Sequence, residues 1–245
     1  MKYLVTGGSG LIGRFLLPAI EANGDEVYNF DFAALEHGQV HDIMSIESIN
    51  HSLRQVQPHV VIHLAAQSGV EASRDSGFHS MRLNVLGAIN VLEACRSQGI
   101  QDVIVASSNH VYGDQDEWPV TEDAPLNQLD TYSVSKIAAD YITRAYAHNY
   151  DMNTVAVRLT NTFGPGDPHS DHIIPGTIKS ILRGEAPVIR SEGQIRKSYL
   201  YGTDAADAFI TIAQHCEELK GQAVNVVGCN PIASLNLVES ILALT

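Results

Sequence analysis

A strand, a glycine loop and a helix succeed one another within residues 2–24, and no other stretch limits the fold as strongly. Lys2 to Thr6 is a short apolar run bounded by glycine, the pattern of a buried parallel strand. It leads into Gly7-Gly-Ser-Gly10-Leu-Ile-Gly13 and then into the helical pattern RFLLPAIEANG. Gly8, Gly10 and Gly13 satisfy G-x-G-x-x-G, while Gly7, Gly10 and Gly13 give the related G-x-x-G-x-x-G. Glycines let the backbone approach a pyrophosphate, and the free N–H groups at the helix start hold its charge. The order predicts an α/β chain with a Rossmann-like, doubly wound parallel sheet that holds a dinucleotide.

The following segments extend the prediction. Glu26 to Phe30 reads as a second strand ending at Asp31, where a carboxylate can accept from both hydroxyls of an adenosine ribose and repel a 2′-phosphate. NAD is therefore favoured over NADP, with Arg14 beside the glycine loop as the counter-signal. Ser45 is placed to cap a helix over IESINHSLRQV before Pro58. His59 to Leu64 reads as a third buried strand leading into small residues, and Asp102 to Ala106 as a fourth that delivers Ser107 and Ser108 at its end. Ligands of an open parallel sheet lie outside that edge. Asn84, polar on an apolar helical run over 80–97, requires hydrogen-bond partners.

Tyr132 and Lys136 carry the candidate chemistry. Four residues apart at the head of IAADYITRAYAHNY, they share one helix face. A phenol with its usual pKa of about 10 is a poor base, and a neighbouring ammonium favours the phenolate. Ser108 is positioned to orient a substrate hydroxyl between them. Alone, a Tyr-x-x-x-Lys spacing is ordinary on an amphipathic helix, so the glycine loop upstream is what gives it meaning.

Charge and cysteines narrow the rest. Lys and Arg total 15 against 28 for Asp and Glu, a net charge of -13, which argues against nucleic-acid and anionic-membrane surfaces. Yet Lys179, Arg183, Arg190, Arg196 and Lys197 place 5 of the 15 basic residues in one segment, and guanidinium forks suit diphosphate oxygens. Arg196 and Arg190 are the chosen candidates, with Lys179 and Lys197 assigned to a solvated basic face. Cys95, Cys216 and Cys229 are odd in number and widely spaced, so reduced thiols and a cytoplasmic location are expected. Neither a signal peptide nor a membrane span is expected.

Six motifs taken together resemble one family: Thr6-Gly-Gly-Ser-Gly-Leu-Ile-Gly13, Asp42-Ile43, His63-Leu-Ala-Ala66, Asn84-Val-Leu-Gly87, Ser107-Ser108 with Val111-Tyr-Gly113, and Tyr132-x-x-x-Lys136. In order and spacing the chain resembles the extended short-chain dehydrogenase/reductases, in their NAD-dependent epimerase/dehydratase branch. The run from Ile173 to Ser191, Gly113-Asp-Gln115 and Thr121-Glu-Asp123 look most like CDP-glucose 4,6-dehydratases.

The resemblance implies roles. Tyr132 would take the proton of a sugar C4 hydroxyl, Lys136 would lower its pKa and hold the nicotinamide ribose, and Ser108 would bond the same hydroxyl. NAD would lie on Gly7, Gly10, Leu11, Ile12, Gly13, Asp31, Asp42, Ile43, Leu64, Ala65 and Ala66. Asn109, Asn161, Arg190 and Arg196 would meet a nucleoside-diphosphate sugar. A seven-stranded sheet is implied, with residues 1–160 as the NAD-binding domain and 161–245 as a small, shortened C-terminal substrate lobe that returns a strand near 223–227. The helices over 80–97 and 131–149 would pair across a homodimer.

One departure bears on the reaction. Where the 4,6-dehydratases carry an acid followed by Glu or Lys, this chain has Asn109 and His110. An amide cannot protonate a departing hydroxyl, whereas a neutral His110 can act as a base near pH 7. The related 4-epimerases need no such acid. Ser-Ser-Asn-His also resembles the uronate dehydrogenases, which release NADH from a free sugar acid, and a non-catalytic, truncated NAD-binding protein is the alternative from outside enzymology.

Overall fold

The computed structural model describes residues 1–33, 41–115, 119–169, 171–189, 191–228 and 230–244; Arg190 and Cys229 lie outside the described residues. The first half alternates strand and helix: β1 (Lys2–Thr6), α1 (Gly13–Ala22), β2 (Glu26–Phe30), α2 (Ile46–Val56) and β3 (Val60–His63). After β3 come α3 (Val70–Asp75), α4 (Gly77–Met81), a π-helical turn (Arg82–Leu86), α5 (Gly87–Gln98) and β4 (Asp102–Ser108). A 3₁₀ turn (Asn109–Tyr112) then leads toward α6 (Thr131–Tyr150) and β5 (Asn153–Leu159). The remainder consists of β6 (Asn161–Phe163), α7 (Ile173–Leu182), β7 (Arg196–Lys197), β8 (Tyr199–Tyr201), α8 (Gly202–Gln214), β9 (Ala223–Val226), β10 (Ile232–Ala233) and α9 (Ser234–Leu242).

The central sheet has the order β2-β1-β3-β4-β5-β9, and every pairing in it is parallel. It is six-stranded among the described residues, one fewer than the resemblance implied, because β6 and β8 pair with each other and β7 pairs with β10. Strand alternation divides the core in two. Tyr3, Val5, Val60, Ile62, Ile104, Val155 and Val157 face α1 and α8, where Leu16, Ile20, Ala206 and Phe209 meet them. Leu4, Val61, Val103 and Val105 point the other way, onto Ile49, Leu53, Val91, Leu92 and Cys95 of α2 and α5. Both faces are covered, so the strands read as continuous apolar runs, and each fully buried Val, Ile or Leu contributes about 1.5–3 kcal/mol.

Local sequence sets the helix ends and the loop. Ser45 caps α2 by accepting from Ser48 N–H at 3.1 Å, as expected. Asp130 caps α6 with both oxygens, accepting from Ser133 N–H at 3.0 Å and from Ser133 Oγ at 2.7 Å. In the glycine loop, Gly7 has φ +72 and lies so close to the segment that follows β3 that a Cβ would sit 2.5 Å from Ala65 N. At Gly13 a Cβ would meet Gly8 O at 2.2 Å, so α1 could not start where it does with any other residue.

The helical run expected over 80–97 is interrupted by the π turn, and Asn84 sits in it, buried and satisfied. Its Oδ1 accepts from Gln67 N–H at 2.8 Å, and its Nδ2 donates to Gln67 O at 3.1 Å and to Ser135 Oγ at 2.9 Å. One side chain thus ties the loop after β3 to α6.

A second buried network fixes the other side of α6. Arg158 on β5, 1% exposed, donates from Nε to Asp140 Oδ2 at 2.9 Å and from Nη2 to Asp140 Oδ1 at 3.0 Å. Its Nη1 donates to Tyr112 Oη at 2.8 Å and to Glu122 O at 2.9 Å, and Tyr112 Oη donates to Asn225 Oδ1 at 2.7 Å. Breaking a buried pair by removing one partner leaves an uncompensated charge. Asp140→Ala is therefore expected to lower unfolding free energy by about 3–5 kcal/mol in denaturant titrations, while the double change Asp140→Leu with Arg158→Met is expected to recover most of that loss.

Candidate active site

A cleft of about 1480 Å³ runs along the C-terminal edge of the sheet, where the end of every central strand from β1 to β5 opens onto it. It is larger than the 300–1,000 Å³ of a typical single-ligand pocket and has room for a dinucleotide beside a second molecule. Gly7, Gly10, Leu11, Ile12, Gly13, Asp31, Asp42, Ile43, Leu64, Ala65 and Ala66 all line it. So do Ser108, Asn109, His110, Tyr132, Lys136 and Asn161. Residues separated by more than a hundred positions thus share one cavity.

The dinucleotide end is preorganised. Asp31 accepts from Ser9 N–H at 3.0 Å and from Ala33 N–H at 2.8 Å, which holds its carboxylate across the tip of the glycine loop. Arg14 is outside the cleft lining, packed so close to Gly166 that a Cβ there would sit 2.8 Å from its Nη1. The counter-signal for a 2′-phosphate therefore lacks a side chain in place. Farther along, Ser107 Oγ and Thr160 Oγ1 are buried without a hydrogen-bond partner while their residues line the cleft. Buried polar atoms of this kind suit a polar ligand, and together with the glycine cradle they fit a bound dinucleotide.

At the reacting end, β4 delivers Ser107 and Ser108, and α6 delivers Tyr132 and Lys136 across from them. Ser108 Oγ accepts from His110 N–H at 3.2 Å, which starts the 3₁₀ turn, and Ser108 also hydrogen-bonds the Tyr132 phenol. The buried Lys136 donates from Nζ to Ala106 O at 2.9 Å. Burial lowers its pKa to about 8. The phenol behaves differently from expectation: desolvation raises the Tyr132 pKa, the Ser108 hydrogen bond pulls it down, and the Asp130 carboxylate pushes it up. Tyr132 is thus a neutral phenol near pH 7: burial is the largest influence on it, and the Lys136 ammonium, which donates to Ala106 O, is not among the groups that shift it.

His110 stands edge-on to Tyr132, with ring centroids 6.0 Å apart. Desolvation and the Lys197 ammonium lower its pKa, against opposing effects of a hydrogen bond with Asn161 and the Asp130 charge, so the imidazole is neutral near pH 7. Buried His63 stays neutral as well, pushed down to about 3 by desolvation and by Lys136, with its Nδ1 2.7 Å from Thr6 Oγ1.

The basic segment is arranged otherwise than its composition suggested. Arg196 is exposed, lies outside the cleft lining, and donates from Nη2 to Pro231 O at 2.8 Å. Lys197, assigned from sequence to the solvated face, lines the cleft and acts on His110. Adjacent residues of a strand point to opposite sides, and the antiparallel register of β7 on β10 puts Lys197 opposite Ile232 and Arg196 opposite Ala233. Two neighbouring cations in a sequence do not reveal which one faces in.

Lys136 gives the site a pH signature. Its folded value of about 8 lies below the ordinary 10.5, so between those values the unfolded chain holds a proton that the folded chain has released. Stability from this group is therefore least below pH 8 and grows as pH rises toward 10.5. In denaturant titrations, the difference in unfolding free energy between the wild type and Lys136→Met is expected to shift by about 3 kcal/mol across that window, at roughly 1.36 kcal/mol per pKa unit.

Comparison with known proteins agrees with this geometry. The model of the NAD dependent epimerase/dehydratase family matches residues 3–227. The UDP-glucose 4-epimerase of Mycolicibacterium smegmatis is 29% identical, over 86% of this chain and 72% of that protein. The dTDP-glucose 4,6-dehydratase of Xanthomonas campestris pv. campestris is also 29% identical, over 99% of this chain and 75% of its own length. The crystal structure of the Thermus thermophilus UDP-glucose 4-epimerase in complex with NAD superposes with a TM-score of 0.87 at 27% identity, covering 99% of this chain and 83% of that one. The matched span contains the glycine loop, Ser108, Tyr132, Lys136 and the strands of the parallel sheet, and the chain belongs to the NAD-dependent epimerase/dehydratase family.

Proposed function

We propose that this protein uses NAD to interconvert the C4 epimers of a nucleoside-diphosphate sugar through transient oxidation at C4. The observation that carries the proposal is the Ser108, Tyr132 and Lys136 cluster in the same cleft as the glycine loop, with Asn109 where a dehydratase needs an acid. The glycine loop and the residues beside it would hold NAD, which would supply the acceptor for the C4 hydride and the donor for its return.

The side chains have separate tasks. Ser108 hydrogen-bonds the C4 hydroxyl and the phenol. Tyr132 takes the hydroxyl proton as the C4–H bond breaks, and gives it back when the ketone is reduced. Lys136, held at Ala106 O in the same cleft, is assigned the task of supplying positive charge when protonated, which would lower the cost of forming the phenolate as the proton moves. Lys197 and Asn161 meet the diphosphate end of the substrate. Residues 1–160 serve as the cofactor-holding domain and 161–245 as an interleaved substrate lobe that returns α8 and β9 to the central sheet.

His110 favours a second reading. Its neutral, desolvated ring beside Tyr132 is a base available for the C5 proton, as a 4,6-dehydratase requires, but Asn109 has no proton to give to the departing C6 hydroxyl. Dimerisation through the 80–97 and 131–149 helices and a cytoplasmic location belong to the same proposal; Leu86 and Tyr141 are exposed on those helices, and no helix among the described residues is long and apolar enough to cross a membrane.

Purified protein incubated with UDP-, dTDP- and CDP-sugars is expected to yield a C4 epimer with no net NADH. A 4-keto-6-deoxy product would transfer the assignment to the dehydratase reading, and steady NADH release with a free uronate would overturn both. Tyr132→Phe is expected to lower kcat by about 100- to 10,000-fold while NAD affinity is retained, and His110→Ala is expected to preserve epimerisation.

A further inference from the structure

The loop between β6 and α7 contains a cluster that the proposed reaction does not use. Asp167, with its side chain only 3% exposed, accepts from His169 N–H at 3.0 Å through Oδ1 and lies 3.0 Å from His172 Nδ1 through Oδ2. His169 Nε2 is 3.0 Å from Ser68 Oγ, and the two imidazoles stack with centroids 4.7 Å apart and planes 29° from parallel. One donor atom from each of His169, Asp171 and His172 lies within 4.8 Å of the other two.

We propose that His169, His172 and Asp171 form a divalent transition-metal site on the wall of the cleft, with Asp167 as the residue that orients His172. A buried carboxylate at Nδ1 of a neutral imidazole fixes the tautomer, so the lone pair is left on Nε2; this is the arrangement that ligating histidines show. Two imidazoles and one carboxylate suit zinc and its first-row neighbours better than magnesium or calcium, which prefer oxygen ligands. Tetrahedral coordination at 2.0–2.1 Å requires donor atoms about 3.3 Å apart. The donor atoms already lie within 4.8 Å of one another, and the exposed Asp171 side chain can swing toward the imidazoles while Asp167 keeps its hold on His172. Three protein ligands leave a coordination position for a molecule in the cleft, since all three residues line it.

Metal binding itself is the readout, so the outcome does not depend on the sugar-nucleotide assignment. The full chain, stripped with chelator, is titrated with Co²⁺ while the visible d–d bands of low-coordinate cobalt are followed, and Zn²⁺ is then added to displace it. One equivalent per chain is expected. His169→Gln and His172→Gln should each weaken uptake at least 10-fold, and Asp167→Asn by about 10- to 100-fold, as for other orienting carboxylates. His148→Gln, an exposed histidine on α6, serves as the control and should leave uptake unchanged. Thermal unfolding of each variant by circular dichroism separates a lost site from a lost fold, and Asp171→Asn provides a further ligand change at an exposed position. No stoichiometric cobalt spectrum, or equal affinity in the His169→Gln/His172→Gln double variant, would overturn the assignment.

Discussion

The bidentate pair between Arg158 and Asp140 is the contact on which the active-site geometry depends. Asp140 lies one helical turn beyond Lys136 and two beyond Tyr132, so fixing it against β5 fixes the rotation of α6 about its own axis. Asn84 does the same from the opposite side through Ser135, whose Oγ in turn donates to Tyr132 O at 2.6 Å. A helix clamped in this way presents its phenol and ammonium at a set depth below the sheet edge. The charge pair is costly to desolvate and is not itself a large source of stability, yet losing either partner would strand a charge in the core. Arg158 extends that constraint outward through Tyr112 and Asn225 to β9, so the last strand of the sheet is referenced to the same point.

Burial on this scale has an electrostatic consequence for the chemistry. Removal from water raises the Tyr132 pKa and lowers that of Lys136 to about 8, so the protein at rest holds a neutral phenol beside an amine that gives up its proton more readily than usual. Such a pairing favours reversible proton exchange over a fixed ion pair. The transient oxidation at C4 proposed above requires such reversibility. His110 and His63, both held neutral, add no competing positive charge at pH 7.

The wall of the cleft proposed to meet the substrate is built from shorter, more exposed pieces. β7 and β10 form only a two-residue ladder, and the loop carrying Asp167 to His172 is held by side chains instead of by the sheet. Loops on a rigid scaffold commonly carry specificity, and here they bring Lys197, Asn161 and the His169/His172 pair to the same cleft.

Local patterns along the chain were enough for the layered architecture and for which residues gather at the glycine-loop end of the cleft. Apolar runs covered on both faces, the glycine loop between β1 and α1, Asp31 at the end of β2 and the Tyr132/Lys136 spacing are local patterns, and each depends on the preferences of a few adjacent residues. The tertiary structure alone decided the rest. Whether Arg196 or Lys197 faces the cleft depends on the register of two distant strands. Whether the Tyr132 phenol is raised or lowered depends on how much water the surrounding elements exclude. The sixth strand as the sheet's limit, and the meeting of Asp167 with His172 beside a serine a hundred residues away, were likewise set by packing. Periodicity and spacing describe what neighbours along a chain can do, whereas desolvation and facing direction are properties of groups that become neighbours only after the chain has folded.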